Sequence, residues 1–135
     1  MWFTYSGNIH DLKELMAKIL YQGTHGTDEP TRASMPFHMA LGASEAGHNP
    51  LISLAGDAAY CIQDLVIENV KGVGMPTLKE LFEKVLIAKI PIYVWGGCAE
   101  ARGVSQKDLE GKNSSFVNPV GLANIVADSD NVITI

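Results

Sequence analysis

The chain lacks the features that would place it in several large classes. It has only two cysteines, Cys61 and Cys98, in 135 residues, and no CxxC pair, so a disulfide framework is excluded. It has no run rich in Lys and Arg, and 15 acidic against 10 basic residues leave a net charge of −5. Nucleic acid is therefore not an expected partner. No stretch of about 18 uninterrupted apolar residues occurs, so no membrane-spanning helix and no membrane partner are expected. The first residues, MWFTYSGNIHDLKELMAKIL, do not pair a basic segment with an apolar one and do not read as a signal peptide. Low-complexity segments and internal repeats are missing too. These absences point to a reducing cytoplasm. Charged residues make up 19% of the chain, slightly fewer than usual, which leaves room for buried subunit contacts.

The length suits one domain and can bury a core without covalent staples. Residues 8–16 read as a short amphipathic helix with Ile9, Leu12, Leu15 and Met16 on one side. The apolar run at 18–22 reads as a first strand, followed by the loop GTHGTDE. Residues 30–46 read as a helix, with Thr27 or Asp28 as its cap and Pro30 in its first turn. Pro36 removes a backbone bond there, so the helix is expected to kink or to start later, near Ser34. Residues 51–55 form a second strand that ends in a Gly56-Asp57 turn, and 58–69 read as helical. Thr77 and Glu80 suggest a capping box for a helix whose apolar face is Leu78, Leu81, Phe82, Val85 and Leu86. PIYVW is a third strand with Pro91 at its start, and Gly96-Gly97-Cys98 turns from it into a short helix. Asn118-Pro119 starts a last helix, and 132–135 form a final strand.

Short apolar strands alternating with helices predict an α/β fold. We expect one three-layer α/β/α domain around a mostly parallel sheet of about five strands, four of them located above. In such sheets, reactive groups lie beyond the C-terminal ends of the strands. The segments 23–28, 56–60 and 96–102 meet that description.

Cys98 is the leading candidate there. A helix N-terminus favours an anion, and the thiolate is the attacking form of cysteine. Gly96 and Gly97 allow a ligand to approach the backbone closely. Arg102, one turn later, can add positive charge on the same side. The alternative is a small buried core residue, as free cysteines often are. Cys61, in the apolar segment AAYCIQDLVI, reads first as core and second as a further sulfur acceptor. His25 either contacts a ligand at the crevice or is a solvated loop residue. Asp57 either acts as an acid or base near Cys98 or caps its turn. The four histidines show no metal-ligand spacing, and GTHG and KGVG match neither phosphate-binding pattern.

Three segments carry a family resemblance. MALGASEAGHNPLISLAGDAA resembles the helix, strand and GD turn of DsrE/DsrF-like (DsrE/TusD-type) sulfur-relay proteins. GVGMPTLKELFEKVLIAKIPIYVWGGCAEARGVSQKDL resembles their later half, with a cysteine-bearing loop after a strand, and DEPTRA fits as well. The likeness spans 17–135, which makes 1–16 an N-terminal accessory segment, or an extension from an upstream start with Met16 the usual one. The resemblance implies a parallel α/β fold, homo- or hetero-oligomers, and sulfur transfer through a cysteine persulfide. It places the reactive cysteine in the loop after the fourth strand, which corresponds here to Cys98. The segment 1–15 and Pro36 depart from the family pattern.

The expected function is thus a sulfur carrier or sulfurtransferase that relays persulfide sulfur through Cys98. Its partners would be sulfur donor and acceptor proteins or small persulfides, and the exchange needs no metal or organic cofactor. The alternatives are a non-catalytic module for a small anion or nucleotide, and a structural subunit of a sulfur-relay complex. A homo-oligomer is expected, with Phe37, Met39 or Val66 supplying the contact.

Overall fold

The computed structural model describes residues 16–135. The expected helix over 8–16 and the accessory segment it defines lie almost wholly outside the described residues.

Five strands form one sheet: β1 (Lys18–Gly23), β2 (Asn49–Leu54), β3 (Ile92–Trp95), β4 (Ser114–Val117) and β5 (Asn131–Thr134). Their order is β4-β3-β2-β1-β5, and every pairing is parallel. Strand β4 was not anticipated. It has four residues, two of them serines, and lies at the edge of the sheet, so neither apolar content nor an extended period marks it.

Two long helices, α1 (Pro30–Glu45) and α3 (Leu78–Ile87), pack together on one face of the sheet. Ile52, Leu54, Ile92 and Val94 form the floor of that core, and Phe37 and Phe82 pack above it as a tilted pair with centroids 5.5 Å apart. Register pairing puts Leu51, Ser53, Trp95 and Val117 on the opposite face. That face is crossed by α5 (Pro119–Asp128), which runs from β4 back to β5 and buries none of its own residues. The three layers follow from right-handed crossovers. The chain steps outward from β1 to β4 over one face, then returns to β5 over the other.

Several local expectations change. Helix α1 starts at Pro30 and runs through Pro36 without interruption, and the buried Pro36 ring packs against Gly23. Its cap is Glu29, whose carboxylate accepts from the Thr31 N–H at 3.2 Å. Asp28 is unavailable as a cap because it closes the preceding loop, accepting from the Gly26 N–H at 2.7 Å. The expected helix over 58–69 is instead a 3-10 segment, Gly56–Ile62, and a single turn, α2 (Asp64–Ile67). Between them Gln63 is extended, at φ −82° and ψ 135°. The Ile62 carbonyl turns out of the helical path to accept from Lys112 Nζ at 2.8 Å, and the same ammonium pairs with Asp64 at 2.9 Å. Thr77 caps α3 as expected, accepting from the Glu80 N–H at 3.2 Å, and Asn118 caps α5 through the Gly121 N–H at 2.8 Å.

The residues expected to supply subunit contacts are used within the chain. Phe37 is fully buried, and Met39 and Val66 pack against the same core. No described helix is long and apolar enough to cross a membrane.

Candidate functional site

The loops after β1, β2 and β3 converge at the C-terminal end of the sheet. Parallel strands deliver them to the same edge, so residues far apart in sequence become neighbours. Gly26 lies so close to the second loop that an added Cβ would come within 2.2 Å of the Asp57 carbonyl oxygen. Only glycine permits that approach. The first loop is locked by Asp28, which also meets His25 Nδ1 at 2.8 Å. The hydrogen bond from His25, then that from the Gly26 backbone, hold the Asp28 carboxyl below its usual range. His25 is therefore engaged inside its own loop.

Asp57 joins the second loop to the third. Its carboxylate accepts from Arg102 Nε at 2.9 Å, and a second guanidinium N–H donates to the Cys98 carbonyl at 3.2 Å. The guanidinium also sits over the Tyr60 ring, 5.9 Å from its centre. Arg102 thus turns back toward the start of α4 (Gly96–Ala101), with its charge balanced by Asp57. Asp57 does not cap its own turn, because its carboxylate is committed to Arg102. Tyr60 received no weight from sequence. Its only signal is a position one 3-10 turn after Asp57.

Cys98 is the third residue of α4 and is half-buried. The strand before it is the third among the described residues, where the resemblance implied the fourth, and β4 follows it. Gly97 beside it has no atom within 4 Å of where a Cβ would stand. Both residues face a cavity of about 550 Å³ between the end of the sheet and α5, a size common for small-molecule pockets. Trp95, Val117, Leu122 and Val126 supply its apolar walls. None of these wall residues is assigned to a site by sequence, since the cavity exists only where α5 crosses the end of β3 and β4.

Cys61 has the opposite setting. It is fully buried, and its thiol faces the His25 carbonyl at 4.0 Å. Burial pushes its pKa up to about 12, with the negative charge of Asp28 adding to the effect. Among the described residues, no group of three His, Cys, Asp or Glu side chains is placed to hold a metal.

The architecture defines a class: a parallel α/β/α domain with a cysteine at the mouth of a cavity beyond the strand ends. The chain belongs to the DsrE/DsrF-like family, whose model matches residues 17–135. Two solved structures share its fold. The crystal structure of the YchN protein from E. coli superposes with a TM-score of 0.64 at 14% identity, covering 90% of this chain and all (100%) of that one. A conserved protein of unknown function, BT1422 from Bacteroides thetaiotaomicron, gives a TM-score of 0.63 at 15% identity, covering 88% of this chain and 95% of that one. No curated protein sequence matches the chain.

Proposed function

We propose that this protein is a sulfur carrier or sulfurtransferase that relays persulfide sulfur through Cys98. The observation that carries this reading is the contrast between the two thiols. Cys98 stands half-buried at the mouth of a cavity, whereas Cys61 is sealed in the core. Family membership supports the same chemistry. The Cys98 thiolate attacks the outer sulfur of a donor persulfide, and the donor leaves as a thiolate. An acceptor thiolate then takes the outer sulfur from Cys98–S–SH in the same way. Arg102, held by Asp57 and Tyr60, fixes the backbone of the Cys98 turn and keeps a positive charge near it. Gly96 and Gly97 keep the approach to the thiol open, and the His25 loop buttresses Asp57 from behind.

Donor and acceptor proteins or small persulfides are the partners in this scheme, and a reducing cytoplasm fits two unpaired thiols. Cationic side chains would favour a nucleotide or small-anion module, and among the described lining residues there are none. The test is the intact mass of the protein after incubation with a persulfide donor. A mass increase of one sulfur atom, reversed by reductant and absent in Cys98→Ser, is the expected result. An unmodified protein after prolonged incubation overturns the reading.

A further inference from the structure

The chemistry of the cavity narrows what brings the sulfur. We propose, resting on the carrier reading above, that the small-molecule partner of Cys98 is a hydropersulfide whose organic group is apolar and uncharged, an alkyl or aryl chain. In that arrangement the persulfide sulfur meets Cys98 and the organic group fills the space beneath α5.

Three observations carry this. The cavity, about 550 Å³, has room for such a group as well as the sulfur atoms. Its walls are mainly apolar, they carry no charged side chain among the described residues, and two of their polar atoms are engaged within the chain. Trp95 Nε1 donates to Ser53 Oγ at 3.3 Å on the sheet face, and Asn118 Oδ1 accepts from the Gly121 N–H at 2.8 Å. The nearby cation does not serve the cavity either. Arg102 is not among the lining residues, and its guanidinium is held by Asp57, the Cys98 carbonyl and the Tyr60 ring. A carboxylate or ammonium on the donor would lose water in this space and meet no charged side chain among the described residues. An apolar group gains by leaving water.

The step balances without a redox partner. The Cys98 thiolate attacks the outer sulfur of R–S–SH, and a new bond forms between the two sulfurs. The S–S bond of the donor breaks, R–S⁻ departs, and the proton stays on the transferred sulfur. That sulfur keeps its oxidation level.

The test uses the full chain with two donors at equal concentration: benzyl hydropersulfide, and glutathione hydropersulfide with its charged peptide. Each rate of Cys98 loading, read by intact mass, is divided by the rate of the same donor with N-acetylcysteine. This removes intrinsic reactivity. The benzyl donor is expected to load Cys98 faster by about tenfold or more. Val126→Glu and Ala123→Glu each place a carboxylate on the cavity side of α5, a helix with no buried residue to disturb. Either should lower the benzyl-to-glutathione ratio by about tenfold. Val73→Glu, exposed and outside the cavity, should leave the ratio unchanged. Equal or faster loading by the glutathione donor, or a ratio unmoved by both cavity carboxylates, overturns the inference and leaves sulfur carriage standing. Failure of both donors to load Cys98 overturns the carrier reading and the inference together.

Discussion

Cys61 and Cys98 each follow a strand by a few residues, yet one is sealed and the other faces a cavity. Only the thiolate is a good nucleophile, and burial opposes its formation at Cys61. A limiting amount of iodoacetamide at neutral pH should therefore label Cys98 first, as read by peptide mapping. Cys61→Ser should retain most persulfide loading while costing stability, because it buries a hydroxyl. Preferential labelling of Cys61 would move the chemistry to the second loop. The same burial has a consequence for stability. The Cys61 thiol is raised from 9.0 to about 12 in the folded state, so the folded protein holds that proton more tightly than the unfolded chain. The resulting stabilisation is fully present below the unfolded value and is lost as pH rises through the folded one. Its ceiling is about 4 kcal/mol. Urea titrations between about pH 8 and about pH 11 should show stability falling more steeply in the wild type than in Cys61→Ala. Parallel slopes would mean that Cys61 ionises as readily folded as unfolded. At Arg102, the planar guanidinium makes two hydrogen bonds and a ring contact that an ammonium cannot reproduce. Arg102→Lys should slow Cys98 loading several-fold with little change in melting temperature, and an unchanged loading rate would remove Arg102 from the site.

At the scale of elements, Pro36 shows how packing overrides a local rule. A proline inside a helix forfeits a backbone hydrogen bond, yet α1 continues through it with the ring buried against β1. The fit is tight. A Cβ at Gly23 would stand 2.9 Å from the Pro36 ring, closer than packed carbons tolerate. Gly23→Ala should therefore cost about 1–3 kcal/mol in urea unfolding. Adding Pro36→Ala should recover part of the loss, and simple additivity of the two changes would show that they do not touch in solution. The other helices were legible because their signals are local. Thr77 and Asn118 cap at the expected positions, and the apolar face of α3 follows the helical period. The break at Gln63 was not legible. It depends on Lys112, which lies 50 residues beyond Ile62.

For the whole molecule, the two faces of the sheet are unequally covered. Helices α1 and α3 seal one side, while among the described residues α5 alone crosses the other and buries none of its residues. Val120 and Val132 remain exposed on this side. We propose that a second copy of the chain covers it in a closed homo-oligomer. Light scattering at micromolar concentration should return a multiple of 14.5 kDa, and Val120→Glu should shift it toward the monomer. A monomeric mass for the wild type would contradict the proposal. The large core on the α1 side is built from Tyr21 onward among the described residues. Deleting residues 1–15 should accordingly leave a cooperatively unfolding protein. Loss of the cooperative transition would show that the segment belongs to the core.

The sequence by itself determined the α/β class, the approximate place of four strands, the caps of α3 and α5 and the three loops that had to meet. Each of these depends on short-range period, turn chemistry or the direction of parallel strands. Tertiary structure alone decided the rest. The edge strand β4 exists because β3 offers it a partner, and its own residues barely ask for one. The cavity beside Cys98 exists because α5 crosses the sheet without closing on it. Asp57 became the anchor of Arg102 because two loops 45 residues apart end at one sheet edge. Such contacts join positions with no shared local pattern, so only the folded chain brings them together.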